Sequence, residues 1–148
     1  MKTVKILGPG CANCRKLEAI AGIGPITASA FVATVGDAKS FKNARQVPAL
    51  LGMVPRHEGT GGKVTPGGIS KRGDVYLRTL LIHGARSVIA HIECKPDHAD
   101  EWLKKLLARR NKNVATVALA AKNARIAWAL LAHERSYQHD YVATGKAA

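Results

Sequence analysis

Acidic residues are scarce in this chain: 10 Asp plus Glu stand against 23 Lys plus Arg, a formal net charge of +13 over 148 residues. Self-repulsion on that scale accompanies an anionic partner, and nucleic acid is the commonest one. Aromatic residues are few as well, at 5% of the chain, so the stacking platform of a single-strand binder is missing and duplex backbone or a structured junction is the better fit. Three cysteines, of which only Cys11 and Cys14 are close in sequence, cannot build the disulfide framework of a small secreted domain. The N-terminal run MKTVKILGPG is too short for a secretory signal and has no small-residue cleavage pattern after it, so the chain is expected to be cytoplasmic. The longest apolar tract, Ala115 to Ala132, is interrupted by Lys122, Asn123 and Arg125, which are costly at a bilayer centre. It is expected to be a buried helix, not a membrane span. No internal repeat and no low-complexity tract is present.

What remains is a chain of one domain's length, able to bury roughly 70% of its unfolded surface. Thr3 to Leu7, TVKIL, alternates and is β-prone, and Gly8-Pro9-Gly10 ends it. Helix is favoured from Cys11 to about Ile20, broken by Gly22-Ile23-Gly24. Pro25 suits the first turn of a second helix, where its missing N–H would be an orphan anyway, and this helix runs to about Val35 before Gly36-Asp37. A third helix, capped by Asn43, reaches Leu51, although Pro48 within it threatens a hydrogen bond. Residues 54 to 73 hold six of the fourteen glycines and read as a loop or hairpin. Leu77, Leu80, Leu81, Gly84, Ala85, Val88 and Ile92 then fall at helical steps, with Arg78, His83, Arg86 and Ser87 off that stripe. Asp97 can start a fifth helix to about Arg110, and Asn113 can cap a sixth to about His133. The fold class is therefore mainly α: a helical domain containing a helix-hairpin-helix element and a Gly-rich basic loop, with one short N-terminal strand.

Two segments carry candidate nucleic-acid chemistry. Leu17 to Phe31, with Gly22-Ile23-Gly24-Pro25 at its centre, resembles a helix-hairpin-helix element. Its glycines permit a tight turn and close backbone approach, and the amides that open the following helix offer a phosphate cradle that reads no base. The same grammar serves a plain connection between helices. In the second segment, Lys63, Lys71, Arg72, Arg78 and Arg86 follow the glycine loop, opposed only by Asp74. Such a surface tracks a nucleic-acid backbone and releases counterions, so binding should weaken steeply with salt.

The succession AGIGPITASAFVATVGDAKSFKNARQ, LLGMVPR, GTGGK, GGISKRGDVYLRTLLIHGARSVI and NVATVALAAKNARIAWALL resembles the C-terminal domain of insertion-sequence transposases of the 110/116/902 family, from about Ala19 to Tyr141. That resemblance implies a domain over residues 19–142, preceded by a segment at 1–18 and followed by a tail at 143–148. It implies DNA transposition, site-specific recombination of an insertion sequence, with DNA as partner and a structured guide RNA as a second one. It places a serine nucleophile after Val-Pro-Arg, a position that Thr60 fills here, with Ser70 as the alternative hydroxyl. The methyl of a threonine restricts χ1 and crowds an in-line attack. The acidic RuvC-like domain of such enzymes is missing from the sequence. Its Mg²⁺ needs several converging carboxylates, and those present are scattered, so no cofactor is expected in this chain alone. Further copies of the chain or a separate acidic catalytic domain are the implied protein partners.

Residues 2 to 17 resemble instead the opening of small thioredoxin-like proteins, a strand followed by Cys-x-x-Cys at a helix start. That makes a thiol-disulfide oxidoreductase using Cys11 and Cys14 the alternative reading, although no second βαβ unit follows. A zinc site formed by Cys11, Cys14, His91 and Cys94 is a third.

Overall fold

The computed structural model describes residues 11–60, 62–95 and 100–138. The TVKIL strand and the Asp97 cap lie outside these. Six helices and one hairpin follow in chain order: α1 (Ala12–Glu18), α2 (Pro25–Val35), a single 3-10 turn (Ala38–Ser40), α3 (Gln46–Leu50), β1 (Pro55–Thr60), β2 (Lys63–Ile69), α4 (Val75–Cys94), α5 (Glu101–Arg109) and α6 (Lys112–Ala132).

Local chemistry sets most of the boundaries. Pro25 occupies the first position of α2, after Gly24. The Asp74 carboxylate accepts the Leu77 N–H at 2.7 Å and starts α4, Asp100 caps α5, and Asn111, two residues earlier than expected, caps α6. Asn43 stands outside α3 and accepts from the Arg45 amide at 3.0 Å. Pro48 sits in the first turn of α3, where no intrahelical N–H is required of it, so the expected loss of a hydrogen bond does not arise.

The core joins Leu17, Phe31, Val47, Leu51, Leu77, Leu81, Ile89 and Thr116, each essentially free of solvent. Helices α4 and α6 pack along each other at its centre, and the α1–α2 pair, α3 and α5 lie against them. By length and composition α6 could cross a membrane, yet half of that stretch is buried inside the chain. It is the central core helix. The Trp128 indole N–H donates to the Ala38 carbonyl at 2.8 Å and ties α6 to the 3-10 turn. At the other end of the core, the Lys122 ammonium lies 4.2 Å from the Trp102 ring centroid and 2.7 Å from the Asp100 carboxylate, which fixes α5 on α6.

The Gly-rich segment is a two-stranded antiparallel hairpin with Pro55 opposite Ile69, Thr60 opposite Lys63, and a register shift between Pro55 and His57. Its base is bound to the segment that leaves α3. The Lys71 amide donates to the Gly52 carbonyl at 3.0 Å and the Ser70 amide to the Val54 carbonyl at 2.9 Å.

Candidate nucleic-acid interface

The turn between α1 and α2 is held from two sides. From α6, the Asn123 side-chain amide, 4% exposed, donates to the Ala21 carbonyl at 2.9 Å. From α4, Gly84 presents its backbone directly to Gly22. A Cβ at Gly22 would stand 2.8 Å from the Gly84 carbonyl oxygen, and a Cβ at Gly84 would overlap the Gly22 carbonyl. Gly22 also has φ +89°, which only glycine adopts freely. Gly22 therefore serves helix packing, a role that its phosphate-contact reading did not include.

Gly24 is different. It precedes α2 with extended backbone and no side-chain cap, and a Cβ there would meet nothing within 4 Å. The N–H groups of Ile26 and Thr27, at the second and third helical positions, have no partner within the helix. This end of α2 opens on a groove of about 450 Å³, lined by Gly22, Gly24, Pro25, Ile26 and Thr27 and, from α4, by Leu80, His83, Gly84 and Ser87. Ile26 is 67% exposed at its edge. His83 and Ser87 join the site although the sequence pattern marks them only as off the buried stripe; their spacing of four residues, three and seven beyond Leu80, is the signal that puts them on one line of α4.

The basic residues divide. Lys71 and Arg72 are exposed where the chain leaves the hairpin, and Arg86 is exposed on α4. The four ion pairs among the described residues are Lys39 with Glu134, Lys105 with Glu101, Lys112 with Glu93 and Lys122 with Asp100. None of them involves Lys71, Arg72 or Arg86. Lys71 has φ +56°, an uncommon conformation for a side-chain-bearing residue. Arg78 corrects the sequence reading. It is 8% exposed, and its guanidinium donates to the Leu51 carbonyl at 3.0 Å, so it fastens α4 to the end of α3 and is not presented to a partner. The side chain of Lys63 lies outside the described residues.

The side chain of Thr60 also lies outside the described residues, but its backbone is at the tip of the hairpin, opposite Lys63. Ser70 is at the base, beside Val54. Six residue steps of β1, from Thr60 to the level of Val54, roughly 20 Å at about 3.3 Å per residue, separate the two hydroxyl-bearing positions, and they do not form one site.

Among the described residues no three of His, Cys, Asp and Glu come together in a way that could hold a metal ion. The proposed set of Cys11, Cys14, His91 and Cys94 is thus not assembled. Six of the described acids serve as caps or in ion pairs, Asp37, Asp74 and Asp100 as caps and Glu93, Glu101 and Glu134 with lysines. The described acids do not converge as Mg²⁺ coordination requires.

Cys11 and Cys14, at the start of α1, are both free thiols with their sulfurs 2.7 Å apart. The rest of the described chain supplies no βαβ unit around them. A polar cleft of about 320 Å³ nearby holds Asn13, Lys16 and the Lys39–Glu134 pair and none of the sequence-predicted site residues.

Residues 14–105 match the family described as Transposase IS116/IS110/IS902. The chain is 56% identical over 129 residues to a probable family 20 transposase of Pseudomonas aeruginosa, an alignment covering 87% of this chain and 38% of that protein. It is 46% identical over 135 residues to the transposase for insertion sequence element IS1111A of Coxiella burnetii, covering 91% and 37%. With the transposase for insertion sequence element IS1328 of Yersinia enterocolitica it shares 45% over 116 residues, covering 78% and 35%. The chain thus spans little more than a third of the length of these curated relatives. The match over 14–105 takes in the α1–α2 turn, the glycine hairpin and all of α4, the elements that build the site, and the chain belongs to the IS116/IS110/IS902 family of transposases.

Proposed function

We propose that this chain is the part of a transposase that holds DNA by its backbone during movement of an insertion sequence, and that it acts in the cytoplasm. The observation that carries the reading is exposed positive charge outside the ion pairs. Lys39, Lys105, Lys112 and Lys122 are paired with acids, while Lys71, Arg72 and Arg86 stand exposed and outside those pairs, Arg86 on α4, the helix that forms one wall of the groove at Gly24. Phosphates reach such a surface without any base being read, and each one neutralised adds about 0.9 to the slope of log affinity against log salt.

Titration of duplex and branched DNA at several salt concentrations tests this. The parent chain should bind more weakly as salt rises. The triple variant Lys71→Ala, Arg72→Ala, Arg86→Ala should lose up to about 3 from that slope. Binding that ignores salt, or a triple variant with the parent's slope, counts against the reading.

Breaking and joining strands would need converging carboxylates, which the described residues do not bring together, supplied by a separate acidic domain or by further copies of the chain, and a structured RNA would serve as guide. Thr60, whose backbone is at the tip of the hairpin, is the hydroxyl we assign to strand attachment. Thr60→Ser should raise, and Thr60→Ala abolish, covalent protein–DNA product once an acidic partner is supplied. Equal product from both variants would transfer the role to Ser70.

A further inference from the structure

Cys11 and Cys14 have no part in the proposed DNA-binding role, yet their placement is chemically specific. Cys11 is the N-cap of α1, and its sulfur accepts the Cys14 amide N–H at 3.1 Å. Its partner sulfur is 2.7 Å away, well inside the van der Waals contact of two sulfurs and not far from bonding distance. The two thiols differ in access. Cys11 is partly exposed, whereas Cys14 is fully buried beneath α2, with Ser29 Oγ 3.9 Å from its sulfur. They differ in acidity as well. Cys11 is held below the usual thiol range, chiefly because the Cys14 thiol can donate to its thiolate and further because the Cys14 and Asn13 amides point at it; burial and Glu18 oppose this. Burial pushes Cys14 up, and the Cys11 neighbour adds to that, with Ser29 acting in the opposite sense. One sulfur is accessible and the more acidic of the two, and the other is shielded 2.7 Å behind it.

We propose that Cys11 and Cys14 form a dithiol modification site that low-molecular-weight disulfides convert to an intramolecular disulfide. The Cys11 thiolate attacks one sulfur of the reagent, the reagent's S–S bond breaks, and its first half leaves as a thiolate that takes up a proton. Cys14 then gives up its proton and attacks the Cys11 sulfur, and the second half leaves as a thiol. The chain loses two electrons and two protons, and the reagent is reduced to two thiols. The new bond closes within one helical turn and joins no two separate elements. It changes the chemistry of this corner, capping a nucleophile, without cross-linking the fold. This inference stands apart from the DNA-binding reading, whose failure would leave it intact.

The test uses the full chain carrying Cys94→Ser, since Cys94 is an exposed third thiol. Oxidised glutathione is added to the native protein, remaining thiols are alkylated, and intact mass and peptide maps are recorded. The expected product is a chain lighter by two hydrogens, with Cys11 joined to Cys14 and no lasting glutathione adduct. A further Cys14→Ser change should leave a stable mixed disulfide on Cys11. Cys11→Ser should leave Cys14 reduced. Circular dichroism confirms that each variant is folded, and the parent supplies a reading independent of both: alkylation of Cys11 should reach half its limiting rate at a lower pH than a simple alkyl thiol does. A persistent adduct on the parent, equal modification of the two single variants, or an ordinary pH profile for Cys11 overturns the proposal.

Discussion

Replacing Gly84 by alanine opposes two effects of known sign. Gly84 lies in the middle of α4, where alanine is intrinsically better than glycine by about 1 kcal/mol. On local grounds the change should stabilise. In the fold, however, the new Cβ would overlap the carbonyl oxygen of Gly22 and crowd its carbonyl carbon and Cα. These are backbone atoms, which cannot rotate away as a side-chain tip can. Overpacking typically costs 1–3 kcal/mol and occasionally more, and a backbone obstacle places this case at about 3. The net expectation is a loss of about 2 kcal/mol, the difference between about 3 lost and about 1 gained. For a chain of this size that lowers Tm by roughly 4–8 °C. Relief would require the α1–α2 turn to lift from α4, which strains the hydrogen bond from Asn123 to Ala21. Thermal and urea unfolding followed by circular dichroism reads the change, with Ala90→Gly, at an exposed position of the same helix, as the measure of the intrinsic preference alone. A midpoint for Gly84→Ala equal to or above the parent's would refute the packing argument and leave propensity as the stronger influence.

Four further outcomes are expected. Gly24→Ala, where a Cβ meets nothing, should cost less than about 1 kcal/mol in stability but weaken DNA binding severalfold, read by mobility shift, since the methyl stands in the mouth of the groove. Arg78→Met keeps most of the buried stem but orphans the Leu51 carbonyl, and should lower urea stability by about 2–3 kcal/mol, whereas exposed Arg86→Met should alter DNA affinity and leave the urea midpoint within about 0.5 kcal/mol. Asn123→Ala removes the donor to the Ala21 carbonyl and should cost about 1–3 kcal/mol by the same assay. For the exposed Lys39–Glu134 pair, Glu134 is held below the usual carboxylate range and Lys39 above the usual lysine range, each chiefly by the hydrogen bond between them; the contribution is therefore present at neutral pH, lost as pH falls through the folded Glu134 pKa and lost again as it rises through that of Lys39. The difference in urea midpoint between the parent and Glu134→Gln should be small, confined to that window, and erased by salt.

The helices were legible because their signals are local. Pro25 after Gly24 and the three- and four-residue spacing from Leu77 to Ile92 each act within a turn or two of chain, and the structure agrees with both; the Asp74 cap of α4 is as local, but the sequence reading took that residue only as a charge opposing the basic cluster. The caps of the last helices were harder to place, since several residues compete: Asp100 and Asn111 do the work expected of Asp97 and Asn113, with Asp97 itself outside the described residues. The glycine segment could be recognised as a turn-forming stretch, but its strand pairing depends on partners several residues apart, and its composition alone does not distinguish a loop from a hairpin.

The site was legible in part, and the limit is geometric. A helical wheel divides α4 into a stripe and its complement, and Arg78 falls on the complement. A helix enclosed on more than one side has no wet complement at such a position, because α3 ends against it and offers the Leu51 carbonyl. Gly84 falls on the stripe and counts there as a small core residue, although its importance lies in having no side chain where Gly22 must approach. Asn123 reads as an interruption of an apolar tract, and in the fold it is the buried donor that holds the turn. All three are contacts between residues 27, 62 and 102 positions apart, so neither charge nor periodicity along the chain can reveal them. It follows that the phosphate-facing residues are better sought by subtraction. Once Arg78 is assigned to α3 and the lysines of the four ion pairs to their acids, Lys71, Arg72 and Arg86 are among the exposed cations that remain, Arg86 on the helix that lines the groove, and they are the residues on which the salt dependence of DNA binding should turn.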